Sequence, residues 1–132
     1  MLPCYRRNHL RRDYTGSPIV IGIVVVNDFL QPLSLATVVV WVTNQGAGSV
    51  TKLRASDGAV LGTFNVGGGP LGVVFDGANI WVADGPTNTV IKLSASGSVL
   101  GNLAVGSYAY GAAFDGAHIW VTNNNSNTVS KL

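Results

Sequence analysis

Short apolar runs alternate with turns of glycine and small polar residues along this chain, and the alternation repeats. The stretch FDGANIWV at 75–82 returns as FDGAHIWV at 114–121. Its Trp-Val pair also stands further upstream, so the tryptophans share one phase at Trp41, Trp81 and Trp120. A period of about 40 residues is typical of architectures that repeat one supersecondary unit. The pattern therefore predicts a repeat fold, although it specifies no reaction.

One complete unit predicts four short strands. Residues 72–75 form an apolar run that ends at Asp-Gly 76–77, a strong hairpin signal because such a turn needs positive φ. Residues 79–83 follow with apolar side chains on both faces, so we expect both faces to be covered. After a loop of turn-forming residues, 89–93 and 99–105 give the third and fourth strands.

The other copies match this unit in phase. The alternation over 60–66 predicts a more exposed fourth strand, and the lysines Lys52, Lys92 and Lys131 occupy one repeat position. Four antiparallel strands per unit of about 40 residues make one blade of a β-propeller. The predicted fold class is therefore all-β, a partial β-propeller of about two and a third four-stranded blades. The blade repeats start near Trp41, Trp81 and Trp120.

Residues 1–40 do not match the repeat. Their approach to Trp41 is shorter than that of the complete units and lacks the Asp-Gly turn. We therefore divide the chain into a non-repeat or degenerate segment, 1–40, and propeller repeats, 41–132. The apolar run 19–26 is shorter than the roughly 20 residues of a membrane-spanning helix. A buried β-branched strand is favoured over an export signal, because Asp13 precedes the run and no A-x-A-like cleavage site follows.

Charge and composition argue against several classes of function and of binding site. The chain has no glutamate, and four of its eight cations are arginines within 6–12, so residues 13–132 carry a net charge of −2. Without a basic face, nucleic-acid binding has little support. The single Cys4 excludes an intramolecular disulfide and a cysteine metal cluster.

The loops between second and third strands should share one face with the blade-to-blade connections, and loops often carry function. Within these loops, Asn44, Asp84 and Asn123 occupy the same repeat position. The favoured interpretation is that each forms an Asx turn, and the alternative is that they contact a ligand. Tyr108 and Tyr110 either bind a ligand or fill the blade junction. The predicted ligand-binding face consists of Asn44, Asp84, Asn88, Tyr108, Tyr110, Asn123 and Asn127.

No catalytic residue, metal ligand or cofactor site is predicted. His118 replaces Asn79 in the turn before the tryptophan, on the opposite face, where a solvated turn residue is typical. Asp76 and Asp115 are expected to form turns. No spacing matches a calcium loop or a zinc site. The tryptophans are expected to pack between blades rather than to line a binding groove.

The tetrapeptides WVTN at 41–44 and 120–123 resemble the motif that names the YVTN β-propeller repeats, with Trp in place of Tyr. The wider unit is similar to NHL and streptogramin-lyase-like propellers. The resemblance covers 41–132 and implies a bacterial or archaeal protein of the cell envelope or outside it, whereas the sequence leaves localisation open. Streptogramin-lyase-like enzymes are expected to use His and Glu with a divalent metal; this chain has no Glu, so none of those residues carries over.

The favoured function is a non-catalytic binding or interaction module, a fragment or subunit of a YVTN/NHL-like propeller. The alternative is a fragment of a streptogramin-lyase-like or lactonase-like enzyme whose catalytic residues lie outside this chain. A truncated product without its own function is the third possibility. The expected partners are further propeller blades, or copies of the chain that complete a ring, together with a protein or carbohydrate ligand. A fragment is favoured over a self-assembling subunit, and neither nucleic acid nor a membrane span is expected.

Overall fold

Antiparallel strands make up most of the protein, as a computed structural model that describes residues 20–26 and 38–132 shows. A three-residue 3-10 turn, Gln45–Ala47, is the one helical segment in these two ranges, so they contain no helix that could cross a membrane. The strands are β1 Val20–Val26, β2 Val39–Asn44, β3 Ser49–Arg54, β4 Val60–Asn65, β5 Pro70–Phe75, β6 Asn79–Asp84, β7 Thr89–Ser94, β8 Val99–Ala104, β9 Ala109–Phe114, β10 Ile119–Asn123 and β11 Thr128–Lys131.

The strands form three up-and-down antiparallel sheets, which we call blades 1, 2 and 3. Blade 1 has the order β1-β2-β3-β4, blade 2 the order β5-β6-β7-β8, and blade 3 the order β9-β10-β11. The predicted all-β partial β-propeller is confirmed. The fourth strands are the more exposed ones, as the alternation predicted, since β4 and β8 hold no buried residue.

Blade 1 takes its first strand from the segment that does not match the repeat. Strand β1 pairs with β2, as β5 pairs with β6 and β9 with β10. The sequence predicted a buried strand within 19–26. The strand is present as β1, whereas the burial of its side chains lies outside what the structure describes. The division of the chain near residue 40 stays a prediction. Cys4, the N-terminal arginines and Asp13 lie outside the described residues.

The Asp-Gly turns before the tryptophans form as predicted, and they also anchor the indole rings. Oδ1 of Asp76 accepts hydrogen bonds from the N–H groups of Ala78 and Asn79, at 2.8 and 2.6 Å. Gly77 has a φ of 98°, which favours glycine. Oδ2 of the same aspartate accepts a bond of 2.7 Å from Nε1 of Trp81. Asp115 repeats all three contacts in blade 3.

The two faces of strand β6 lie in two different cores, as its doubly apolar pattern predicted. Ile80 and Val82 face blade 1, where they pack with Trp41 and Val50. On the other side Trp81, Ala83 and Val90 pack against blade 3, whose contribution is Ala109, Ile119 and Val121. The Trp41 and Trp81 faces are therefore covered by the Ile/Val face of the next blade, which confirms the packing role of these two tryptophans.

Each tryptophan also stacks under a lysine of the neighbouring strand. The register places Lys52 opposite Trp41, and the pairs in blades 2 and 3 have the same register. The Nζ atoms lie 5.4, 4.7 and 5.3 Å from the ring centroids in blades 1, 2 and 3, within the range of a cation–π interaction. This stacking explains why the lysines share one repeat position.

Candidate functional site

The second-to-third-strand loops and the blade connections do lie on one side of the blades, which we call the loop face. It comprises the loops 44–48, 84–88 and 123–127 and the connections 66–69 and 105–108. The first connection is held at both ends, because Val66 and Gly67 donate to the Gly48 carbonyl, and Gly69 N–H donates to Asp84 Oδ1 at 3.1 Å. Loops of adjacent blades are thereby braced against each other.

The second connection is braced in the same way. Tyr108 N–H donates to Asn88 Oδ1 at 2.8 Å, and Val105 N–H donates to the Asn88 carbonyl at 3.0 Å. On the side of blade 3, Asn124 donates its backbone N–H to the carbonyl of Tyr108, and Asn125 donates to Ser107. The loop face is therefore a hydrogen-bonded surface across all three blades.

The polar row Asn44, Asp84 and Asn123 does not act as predicted. The Asx-turn interpretation is wrong for Asn44 and Asn123: the Asn44 side chain caps no backbone N–H, and Asn123 Oδ1 accepts no bond from the described residues. Instead Asn44 Nδ2 donates across the hairpin to Ser49 and Thr51. Asn123 Nδ2 likewise bonds to hydroxyl groups on β11.

Asp84 differs from these asparagines because its carboxylate has no N–H group to donate and can only accept hydrogen bonds. On the opposite strand, Ile91 also stands where Thr51 and Ser130 supply a hydroxyl group. Asp84 Oδ1 receives N–H groups from Gly69 and, at 3.4 Å, from Thr87, as in a long Asx turn. Its Oδ2 is buried without a partner in the described structure. Asp84 is 1% exposed, so its carboxylate stabilises the loops from beneath them.

Left-handed backbone recurs at the last residue of each of these loops. Gly48, Asn88 and Asn127 have φ of 59°, 58° and 51°. Asparagine is one of the few residues other than glycine that tolerate this conformation. Asn88 and Asn127 therefore each have a structural role beside their predicted ligand role. Both are exposed on the loop face, where Asn88 Oδ1 already accepts the Tyr108 N–H.

The two tyrosines are in different environments. The ring of Tyr108 lies over Gly85, where an added Cβ would come within 3.2 Å of the ring, so Tyr108 fills the junction of blades 2 and 3. Tyr110 is 48% exposed on the outward side of blade 3. Its equivalent in blade 2, Leu71, is buried. Ligand binding by any residue of the predicted face stays a prediction.

The opposite side of the blades carries the turn around Asp115. The indole N–H of Trp120 and the backbone N–H groups of His118 and Ala117 lower the pKa of the Asp115 carboxyl. His118 Nδ1 lies 3.6 Å from Asp115 Oδ2 and the side chain is partly exposed, consistent with the expected turn residue. Across 20–26 and 38–132, no three His, Cys, Asp or Glu side chains are grouped so that they could hold a metal ion.

Two recurring contacts were missed by the sequence analysis, although signals for both exist. An aspartate stands five residues before Trp81 and before Trp120, which is the spacing of the indole–carboxylate bond. The lysines and tryptophans each keep one phase, and pairing the second strand with the third brings them together. Neither contact needs residues from another blade, so both were accessible to local reasoning.

No known protein family matches the sequence, and no curated protein does. Solved structures do match. Hydrazine synthase from Kuenenia stuttgartiensis aligns with a TM-score of 0.66 and 21% identity, over 91% of this chain and 33% of that chain. A catalytically inactive virginiamycin B lyase from Staphylococcus aureus, in a structure with quinupristin, aligns at 0.62 and 18% identity, over 71% of this chain and 34% of that one.

A third match is U3-55K, with a TM-score of 0.65 and 14% identity, over 87% of this chain and 39% of that chain. The chain thus spans between one third and two fifths of the length of these structures. At such identities the likeness concerns the fold alone, and it agrees with propeller-type blades.

Proposed function

We propose that this chain is a non-catalytic binding module, a part of a YVTN/NHL-like β-propeller that presents its loop face to a ligand. The observation that carries the proposal is the bracing of that face across three blades, from Gly48 to Asn125. Bracing fixes the exposed loop groups before a ligand arrives, which reduces the entropy lost on binding. The exposed Asn127 and the partly exposed Asn44 and Tyr108 are the residues best placed for contact.

Chemical-shift mapping of labelled chain tests this proposal, with quinupristin and a panel of neutral oligosaccharides as separate probes. We expect at least one probe to shift amide signals mainly in the loops of the loop face. Asn127→Gly keeps the left-handed backbone, removes the side chain and should weaken that binding. The matched control is His118→Ala, on the opposite side, which should bind as the unchanged chain does. Shifts confined to the His118 side, or no response to any probe, would contradict the proposal.

A second function is a fragment of a propeller enzyme, which the likeness to virginiamycin B lyase favours. Its catalytic groups would then come from blades outside this chain, and residues 1–132 alone should leave quinupristin intact. Mass spectrometry of quinupristin incubated with the chain and Mg²⁺ checks this. Cleavage by the chain itself would overturn the non-catalytic proposal.

We further propose that the outer faces of blades 1 and 3 take further blades or a second copy of the chain. In blade 3, Tyr110, Trp120 and Val129 are 48%, 38% and 59% exposed. Their blade-2 equivalents, Leu71, Trp81 and Val90, are 1%, 9% and 0% exposed. The residues that cover the blade-2 set form an Ile/Val face, and Val40 and Val42 occupy the corresponding positions in blade 1, where Val40 is half-buried and Val42 is 9% exposed.

Light scattering after size exclusion tests the second-copy form of this idea. A discrete closed oligomer that Trp120→Lys converts to monomer would support docking of blade 3 on blade 1 of another copy. A matched substitution at an exposed fourth-strand position, Leu61→Lys, should leave the mass unchanged. A monomer at all concentrations would leave further blades of a longer polypeptide as the remaining occupants of these faces.

A further inference from the structure

The loop face presents neutral groups to solvent. Its loops and connections contain one charged residue, Asp84, and that side chain is 1% exposed. The other polar residues of the face are asparagine, glutamine, serine, threonine and tyrosine, whose side chains carry amide and hydroxyl groups. A charged ligand would therefore lose hydration here without meeting an exposed counter-charge. The surface instead suits a neutral ligand that both donates and accepts hydrogen bonds.

Tyr108 differs from the other residues of this face because it places an aromatic side chain on left-handed backbone. Its φ is 59°, a conformation that is rare for a bulky residue. The backbone is fixed from both sides: the N–H donates to Asn88 Oδ1, and the carbonyl accepts the Asn124 N–H, both at 2.8 Å. Conformations of this kind cost free energy and are concentrated at sites that hold a ligand. The loops of blades 2 and 3 thus hold the Tyr108 backbone in one conformation.

The ring of Tyr108 is positioned by a glycine. A Cβ at Gly85 would come within 3.2 Å of two ring carbons and 2.9 Å of Leu71 Cδ1, so the ring packs closely on the backbone of blade 2. Tyr108 is half-buried, which leaves part of its side chain accessible to solvent. A tyrosine held in this way offers a rigid and partly apolar contact surface at a low cost in conformational entropy.

Side-chain amides lie on both sides of Tyr108. Asn88 uses its Oδ1 to hold the Tyr108 N–H, and its Nδ2 donates to none of the described residues. In blade 3, Asn124 and Asn125 bond to the connection through backbone N–H groups, and their exposed amides have no hydrogen bond to the described part of the chain. An amide group combines two N–H donors with an acceptor, and each hydroxyl group of a sugar also donates and accepts. These amides therefore match the hydroxyl groups of a sugar ring.

We propose that the loop face binds a neutral carbohydrate and that Tyr108 is the centre of the site. One pyranose ring stacks on the accessible part of the Tyr108 ring, because the face of an aromatic ring carries partial negative charge and attracts C–H groups. The hydroxyl groups of the sugar bond to the side-chain amides of Asn88 and Asn124. This choice of ligand class rests on the proposed function, since it concerns the same face.

NMR titration of the chain 1–132 with maltohexaose, cellohexaose and chitohexaose, as separate probes, tests this assignment. We expect at least one probe to shift the backbone amide signals of the loop face. The same probe should give nuclear Overhauser contacts between its C–H protons and the Tyr108 ring. Its affinity should be the same at low and high salt, because neither the sugar nor the exposed surface is charged.

Substitutions at Tyr108 separate the ring from the backbone. Tyr108→Asn tolerates the left-handed conformation but removes the ring, and it should weaken binding about tenfold or more. Tyr108→Phe keeps the ring and should retain most of the affinity. The matched control is Phe114→Leu, which removes an exposed aromatic ring at the other end of β9 and should bind as the unchanged chain does.

The possible outcomes distinguish the ligand class from the proposed function. Loop-face shifts with quinupristin but with none of the three oligosaccharides would overturn the carbohydrate assignment and leave the binding module in place. Oligosaccharide binding that gives no contact with the Tyr108 ring, or that Tyr108→Asn leaves unchanged, would overturn the proposed site. No response to quinupristin or to any oligosaccharide would contradict both proposals. Because the contacts with the ring are measured on the unchanged chain, the test does not depend on how well a variant folds.

Discussion

Trp81 and Trp120 provide a paired test of how much the packing of one blade on the next contributes to stability. Both indoles donate a 2.7 Å hydrogen bond to the aspartate five residues upstream. Both also stack under a lysine, at 4.7 and 5.3 Å. The main difference is that Trp81 is 9% exposed beneath blade 3, whereas Trp120 is 38% exposed on the outer face. Replacing each by alanine removes the same local contacts but different amounts of blade–blade packing.

The difference can be estimated from the exposed fractions. About three-tenths of a tryptophan surface of roughly 200 Å² amounts to about 60 Å² of additional buried area at Trp81. At ~25 cal/mol per Å², this area corresponds to about 1.5 kcal/mol. Trp81→Ala should cost ~3–5 kcal/mol in the free energy of unfolding, as large-to-small changes in cores do, and Trp120→Ala about 1.5 kcal/mol less.

Equilibrium urea unfolding followed by far-UV circular dichroism measures both losses without relying on tryptophan fluorescence. Each variant should be measured at two chain concentrations, because association through blade 3 would make the midpoint depend on concentration. A loss for Trp120→Ala as large as that for Trp81→Ala, with a concentration-independent midpoint, would refute the assignment of stability to the interface of blades 2 and 3.

Two further predictions concern the turns and the loop face. Burial disfavours the charged form of Asp76, but the N–H groups of Asn79, Trp81 and Ala78 outweigh this effect. The pKa of Asp76 in the folded protein, like that of Asp115, therefore lies below the ordinary aspartate value of about 3.9. The stabilisation that these two ionised carboxyl groups contribute is therefore present above that pH and is lost as the pH falls further. In the double variant Asp76→Asn/Asp115→Asn, the urea midpoint should fall less steeply with decreasing pH than in the unchanged chain. An unchanged dependence of the midpoint on pH would contradict this. Gly68→Ala should cost about 2–4 kcal/mol in urea unfolding, because its Cβ would meet the buried Asp84 carboxylate and φ is +55°. Gly77→Ala, with open space at φ +98°, should cost only about 1–2 kcal/mol, and equal costs would rule out the clash.

The blade could be predicted because its pattern is local. The turn at Asp76-Gly77 and the apolar alternation of β6 depend on neighbouring residues, and both are as expected in the structure. The polar row could not be predicted in the same way. Asn44 and Asp84 share one phase, yet one donates across its hairpin and the other accepts from a connection between blades. An amide can donate whereas a carboxylate only accepts, but the group that each one meets, Thr51 across the hairpin or Gly69 of a blade connection, depends on strand register and blade packing.

The sequence by itself determined the repeat, the strand order within a blade and the side of the blades on which the loops gather, because each follows from spacing and turn chemistry. Only the tertiary structure decided which equivalent positions are buried. Trp81 and Trp120 have nearly the same neighbours in sequence, but only Trp81 has another blade packed over it. The structure also showed that β1, outside the recognisable repeat, completes blade 1. Burial and long-range strand pairing depend on residues far apart in the chain, which a local pattern does not specify.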